Sequence, residues 1–370
     1  MLKKQTVLVT GGCGFIGANL VRLLLDGGRY RVVNLDALTY AANPLSLTDL
    51  ESHPDYVFAR GNILDRALVA SLLNQHQPMG VFHLAAESHV DRSIVNADDF
   101  IQTNVVGTCS MLEAARVYWS GLPDGRREAF RFLHVSTDEV FGSLGADGFF
   151  VEETPYAPRS PYAASKAASD HFARAYHHTH GLPVVITNCS NNYGPYQFPE
   201  KVIPLMILNA LTGRPLPVYG QGLNVRDWIY VEDHCCALEL AFEKGAPGQT
   251  YLVGANNEQK NINLVQRICS ILDQAAPVEE NPATRGRIAR YADLIRFVSD
   301  RPGHDLRYAI EAGKTRRELG WSPREDFSSG LRKTVQWYLS NPQWVEQASG
   351  GGYGEWMQKN YAWRSSEETK

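Results

Sequence analysis

At 370 residues with 44% apolar content, the chain can bury a large core and fits one unit of two parts. Its formal net charge of -4 gives no basic field for nucleic acid, and no apolar run approaches the ~20 residues of a membrane span. The polar start Met1-Leu2-Lys3-Lys4-Gln5 is unlike a secretory signal, and the six cysteines (13, 109, 189, 235, 236 and 269) lack CxxC or metal spacing, so a cytoplasmic protein with reduced thiols is expected.

The first element is a short β-branched strand over 6–10, which leads into Gly11-Gly12-Cys13-Gly14-Phe15-Ile16-Gly17 and an apolar helical segment to Leu25. Strand, glycine turn and helix in that order let the backbone approach a pyrophosphate at the helix N-terminus, which marks Gly11, Gly14 and Gly17 as cofactor positions. The next strand, 31–35, ends at Asp36, about 20 residues beyond the loop. A carboxylate there accepts the ribose hydroxyls and repels a 2′-phosphate, so NAD is favoured over NADP.

Further strand-like runs near 56–60, 80–84, 131–136 and 183–188 alternate with stretches long enough for helices. That alternation predicts an α/β fold with a Rossmann-type doubly wound parallel sheet. A long helix over about 98–118 and the helix beginning at Pro161 are the candidate surfaces of a homodimer built as a helix bundle.

The strand ending at Ser136 runs into Thr137-Asp138-Glu139-Val140, a hydroxyl beside two adjacent carboxylates. In the helix from Pro161 to about His180, Tyr162 and Lys166 stand four apart and share a face. A phenol near pKa ~10 is a poor base at neutral pH, and the neighbouring ammonium is expected to bring it down. Together these groups exceed what a simple hydride transfer needs, and the surplus points to elimination chemistry. Like charges in a closed site raise one pKa and leave a shared proton, which suits Asp138 and Glu139 in separate acid and base roles. Histidines 177, 178 and 180 fit the cationic preference of a helix C-terminus, and no metal is expected.

After about Asn191 the pattern loosens, with Pro/Gly-rich turns at 194–199, 213–222 and 301–303. The expected division is a Rossmann NAD-binding domain over 1–190, a smaller C-terminal mixed α/β substrate lobe over 191–345 with some segments returning to the first domain, and a partly disordered tail over 346–370. Substrate is expected over the C-terminal edge of the sheet.

Several motifs in combination carry a resemblance over roughly 5–340: the 11–17 glycine loop, Leu84-Ala85-Ala86-Glu87-Ser88-His89-Val90-Asp91-Arg92-Ser93, the Ser-Thr-Asp-Glu-Val-Phe-Gly run at 136–142, Tyr162/Lys166, Asn191-Asn192-Tyr193-Gly194-Pro195-Tyr196 with Phe198-Pro199-Glu200-Lys201, Arg226-Asp227-Trp228, and Asp300-Arg301-Pro302-Gly303-His304-Asp305 with Arg307-Tyr308. The chain resembles the extended short-chain dehydrogenase/reductase family and, within it, the dTDP-glucose 4,6-dehydratase family. The resemblance implies a hydro-lyase of deoxysugar biosynthesis, such as that of dTDP-rhamnose, with tightly bound NAD+ and a dTDP-glucose substrate. It implies that Tyr162, assisted by Thr137 and Lys166, serves oxidation at C4, that Glu139 removes the C5 proton, and that Asp138 protonates the departing C6 hydroxyl.

The same resemblance assigns Phe15, Ile16, Asp36, Ala37, Leu38, Thr39, Ile63, Leu84, Ala85, Ala86, Ser88, Thr103, Tyr162, Lys166 and Asn192 to NAD. It assigns Ser88, Thr137, Asn191, Lys201, Val202, Pro217, Val218, Tyr219, Arg226, Asn261, Asp300, Arg301 and His304 to the sugar and diphosphate, with Arg226 the diphosphate ligand because a guanidinium offers forked, permanently charged donors. Asn62 stands where the family usually has an aspartate near the adenine; it is neutral but keeps a carbonyl acceptor. A UDP-hexose 4-epimerase shares the loop and the Tyr/Lys pair but needs no carboxylate pair, and GDP-mannose 4,6-dehydratases and UDP-glucuronate decarboxylases typically carry Thr-Ser-Glu. A non-catalytic NAD-binding scaffold or sensor is the alternative from another class.

Overall fold

The computed structural model describes residues 4–300 and 303–350. Its strands, in chain order, are β1 (Gln5–Thr10), β2 (Tyr30–Asp36), β3 (Tyr56–Arg60), β4 (Gly80–His83), β5 (Arg131–Thr137), β6 (Val184–Cys189), β7 (Asn191–Tyr193), β8 (Leu216–Tyr219), β9 (Val225–Tyr230), β10 (Thr250–Val253), β11 (Glu258–Lys260) and β12 (Ile295–Val298). Seven of them form one sheet in the order β10-β6-β5-β4-β1-β2-β3, with every neighbouring pair parallel. Successive residues of a strand point to opposite faces, and both faces are buried here. Val7 and Val9 pack into the apolar layer on one face and Leu8 into the layer on the other, and Leu133 and Phe132 divide the same way, so the first core lies on both sides of the sheet. This is the Rossmann-type doubly wound sheet, and the six expected strands are all in it. The seventh, β10, extends the edge beyond β6.

Strand order reverses between β1 and β4, so the carboxyl ends of β1, β2, β4, β5 and β6 open towards one crevice, where ligands bind in such sheets. The helix expected over 98–118 runs continuously from Asp98 to Ser120 and is widened in its middle. Asp98–Phe100 is followed by a wide π turn over Ile101–Gly107 and then by the helix Thr108–Ser120. The buried Asn104 in that turn accepts from the Glu87 N–H (2.8 Å) and donates to the Glu87 carbonyl (2.9 Å) and to Ser165 Oγ (2.8 Å). The widened turn therefore ties the β4 exit loop to the Pro161–His180 helix.

A second apolar core gathers Tyr193, Ile207, Trp228, Leu264, Ile268 and Val335. Two small sheets, β11-β9-β7 and β12-β8, belong to this smaller mixed part. The chain passes between the cores: Leu238 and Phe242 of the Val231–Lys244 helix, Val253 of β10, Ile310 and Trp321 all pack into the first core. The helix Pro342–Ala348 carries buried Trp344, whose Nε1 donates to Ser46 Oγ (2.9 Å), so the stretch expected to open a disordered tail begins within a packed helix. The rest of that expected tail, 351–370, lies outside the described residues, as does Arg301. No described helix is long and apolar enough to cross a membrane.

Candidate active site

A cleft of about 1590 Å³, open to solvent, runs over the carboxyl ends of the strands. Its first half is built from the glycine turn. Gly11 has φ +76°, and a Cβ there would meet the Ala85 backbone at 2.8 Å; at Gly17 a Cβ would lie 2.0 Å from the Gly11 carbonyl oxygen. Side chains at either position would push the turn apart, so the helix N-terminus stays open to a phosphate. Gly14, Phe15, Ile16, Ala37, Thr39, Ile63, Leu84, Ala85, Ala86, Ser88 and Thr103 also line this half. Asp36 Oδ2 accepts from the Cys13 N–H and Oδ1 from the Leu38 N–H, both at 2.8 Å, and lone pairs remain for a diol. The donor set and the cradle suit a dinucleotide.

Two of the residues expected at the cofactor have backbone or side-chain partners of their own. Leu38 takes a left-handed backbone (φ 54°) and packs its side chain against the first core, so it shapes the site only through its amide. Asn62 lines the cleft, but its Oδ1 already accepts from the Leu64 N–H at 2.9 Å in a local turn. The carbonyl expected to face an adenine thus has one lone pair committed.

The second half is set by β5 and the Pro161–His180 helix. Thr137, Glu139, Tyr162 and Lys166 line the cleft together with Asn191, Asn192 and Lys201. The helix starts at Ser160, whose Oγ accepts from the Ala163 N–H, and the Tyr162 N–H donates to Ser93 Oγ (3.1 Å), which fixes the tyrosine over the strand ends. Asp138 is 1% exposed; the Thr137 hydroxyl reaches its Oδ1 at 3.4 Å, and its Oδ2 has no hydrogen-bond partner among the described residues. Burial first, then the charges of Glu139 and Asp227, push the Asp138 carboxyl well above the usual carboxylate range. That shift favours the neutral acid at Asp138, and Glu139 is the carboxylate that lines the cleft.

The expected lowering of the Tyr162 phenol is reversed. Burial, followed by Glu139, raises it well above its ordinary value, while the Thr137 hydroxyl opposes the rise. Lys166 is also buried and directs Nζ to the Val135 carbonyl (2.9 Å), and its own pKa is lowered by burial.

These positions can be set beside known proteins. The sequence model of the family described as GDP-mannose 4,6 dehydratase matches residues 8–334. The dTDP-glucose 4,6-dehydratase of Neisseria meningitidis serogroup B is 58% identical over 350 residues, which span 94% of this chain and 97% of that one. The chain belongs to the dTDP-glucose 4,6-dehydratase family. The dTDP-glucose 4,6-dehydratase 1 of Escherichia coli K12 is 52% identical over 97% of this chain and 99% of its own. The crystal structure of DesIV, the dTDP-glucose 4,6-dehydratase of Streptomyces venezuelae with NAD and TYD bound, superposes with a TM-score of 0.83 at 44% identity, over 93% of this chain and 100% of that one.

In this dTDP-glucose 4,6-dehydratase family member the remaining assigned residues sit beside the cleft rather than on its wall. Arg226 donates to the carbonyls of Val225 (2.7 Å) and Asp305 (2.9 Å) and lies 4.2 Å over the Tyr308 ring, close enough for its charge to oppose the rise at Asp138. Tyr219 donates to Asp91 Oδ2 (3.1 Å), and His304 Nδ1 lies 2.6 Å from Asp300 Oδ1, which gathers the loop beyond β12 against β8. Along β8 burial alternates, so Pro217 and Tyr219 face outward while Val218 turns into the second core and offers a ligand only its backbone. Val202 begins the Val202–Leu211 helix and packs on that core, and Asn261 begins the Asn261–Ala275 helix. Glu87, Cys189, Ser190, Gln197, Phe198 and Glu200 also line the cleft, although the sequence reading assigned them no role. Glu87 and Glu200 lie within motifs already quoted, but only burial distinguishes them: Glu200 is buried and pairs with Arg92 Nε at 2.9 Å.

Proposed function

We propose that the chain dehydrates dTDP-D-glucose to dTDP-4-dehydro-6-deoxy-D-glucose and water, with NAD+ held tightly and regenerated in each turnover. The observation that carries this reading is the pairing of a buried Asp138, whose carboxyl is pushed up by burial, with a cleft-facing Glu139, beside Tyr162 and Lys166 at the far end of a dinucleotide cradle.

Tyr162 takes the C4 hydroxyl proton, with Thr137 sharing the hydrogen bond and Lys166 supporting the negative charge. When bound, NAD+ supplies the hydride acceptor at C4, the hydride returned to C6, and a cationic ring whose field offsets the burial that keeps the phenol neutral. A ketone at C4 makes the C5 proton acidic. Glu139 removes that proton as the C6–O bond breaks, and Asp138 gives its proton to the departing hydroxyl, which leaves as water. Glu139, facing the open cleft, exchanges that proton with solvent before protonating C5, and the proton held by Tyr162 balances the one that Asp138 gave up. Redox change sums to zero.

In this reading residues 1–190 hold the cofactor and the proton-transfer groups, and residues 191–345 supply the sugar-nucleotide side, with Asn191, Lys201, Arg226 and the Asp300–His304 loop on the substrate. The chain acts in the cytoplasm, where its unpaired cysteines stay reduced, and works as a homodimer through the helices Thr108–Ser120 and Pro161–His180. The product feeds deoxysugar biosynthesis, such as that of dTDP-rhamnose. The test is Glu139→Gln. It should slow loss of water by ~10²–10⁴ while substrate still reduces the bound nicotinamide, read from its absorbance. Dehydration at the parent rate would remove Glu139 from its role.

A further inference from the structure

Beneath the tyrosine and lysine lies a carboxylate that the reaction above does not use. Asp170 follows Lys166 by four residues, as Lys166 follows Tyr162, so all three share one stripe of the Pro161–His180 helix. Asp170 is 0% exposed, yet three other segments converge on it. From β5, His134 Nε2 stands 3.0 Å from its Oδ1 and Ser136 Oγ donates to Oδ2 at 2.9 Å. From β6, Asn188 Nδ2 donates at 3.1 Å, and from the loop before the helix Tyr156 OH donates at 2.8 Å. Tyr156 is itself held by Arg174 Nη2 at 2.7 Å. Burial alone would raise the Asp170 carboxyl, but His134, the Lys166 charge and the Tyr156 hydroxyl keep it below its ordinary value.

Lys166 sees few other charges. Its bonded acceptor, the Val135 carbonyl, is neutral. His83 on β4 and His134 on β5 face it as neutral rings, because burial lowers both, and burial pushes the Cys189 thiol on β6 up to about 12. Asp170 is the ionised group that opposes the loss of the Lys166 proton. A buried ammonium persists only with such a counter-charge. Asn188 Nδ2 also donates to the Thr137 carbonyl at 3.0 Å, so the same carboxylate grips the end of β5 that carries Thr137.

We propose that Asp170 is a positioning residue for the Tyr162/Lys166 pair: its carboxylate supplies the buried counter-charge that keeps Lys166 an ammonium, and through Ser136 and Asn188 it holds Thr137 against the helix. This deepens the proposed function and rests on it for the importance of Lys166.

The experiment follows the Lys166 side chain by NMR in NAD-loaded protein grown with [ε-¹³C]lysine, beside the pH profile of kcat. Removing a negative charge lowers the pKa of an ammonium, so Asp170→Asn should move both the Lys166 midpoint and the basic limb of kcat down by ~1–3 pH units. At neutral pH kcat should fall about tenfold or more, with KM for dTDP-glucose within about twofold of the parent. Asp170→Glu should restore most of the midpoint, and Tyr156→Phe, which keeps the charge, should leave it near the parent value. A parent-like Lys166 midpoint in Asp170→Asn overturns the proposal. If that variant does not accumulate, Asp170→Asn combined with Lys166→Met decides: recovery on removing both charges supports the pairing, and an equally defective double variant refutes it. Parent activity in Tyr162→Phe would instead sink the proposed function, wherever Lys166 titrates.

Discussion

Glu87 sits between Ala86 and Ser88 on the cleft wall, and its surroundings make it unusual. Burial first, then Asp99 and Glu200, raise its carboxyl from 4.5 to about 7. The folded protein therefore binds this proton more tightly than the unfolded chain does. The resulting stability is full below 4.5 and is lost as pH rises to and through about 7. Glu87→Gln mimics the protonated form, so its thermal stability should match the parent in acid and exceed it by about 3 kcal/mol near pH 8. Equal melting of the two proteins across that range would contradict the assignment. Glu87 also marks how far single residues could be read in advance. Spacing reveals that Tyr162 and Lys166 share a face, and adjacency reveals that Asp138 and Glu139 compete for a proton. Neither reveals depth, so the rise of the Tyr162 phenol and the Glu87 shift become visible only when neighbours from β5, the Pro161–His180 helix and the 196–201 loop are in place.

The elements that were legible are those whose patterns are local. β1, the glycine turn and the Phe15–Asp26 helix follow from a β-branched run and glycine spacing, and the turn tolerates little change. Gly17→Ala places a methyl 2.0 Å from the Gly11 carbonyl and 2.7 Å from Gly12 Cα, both backbone atoms that cannot step aside. It should destabilise the fold by ~1–3 kcal/mol and release NAD on purification, checked by melting and by the absorbance ratio of the isolated protein. Retention of a full cofactor complement would show that the turn does not cradle it. By contrast, the π turn Ile101–Gly107 depends on Asn104 meeting Glu87 and Ser165, partners 17 and 61 residues away, and β10 is four residues whose place beside β6 is a matter of tertiary pairing. Such elements have no period of their own to announce them.

Among the described residues, several apolar side chains on the 90–120 and 161–180 helices are exposed: Val95 at 73%, Val117 at 57%, Ile101 at 48% and Phe172 at 42%. A patch of that kind marks an association surface, in keeping with the proposed homodimer. The proposed homodimer should fall to monomer in Phe172→Glu by sedimentation analysis, and an unchanged mass would place the interface elsewhere. The two cores explain why composition pointed to a two-part unit while the path of the chain between them stayed hidden, since Phe242, Val253 and Trp321 return to the first core from a region whose sequence reads as part of the second. Their junction is where the proton-transfer groups face the cleft. Chemistry at that junction is most directly tested by giving the NAD-loaded protein dTDP-glucose in deuterated water and following the sugar by mass spectrometry and NMR. The expected product is a 4-keto-6-deoxy sugar that has lost one water and carries solvent deuterium at C5. Unchanged sugar, a C4 epimer alone, or a product without deuterium at C5 would contradict it.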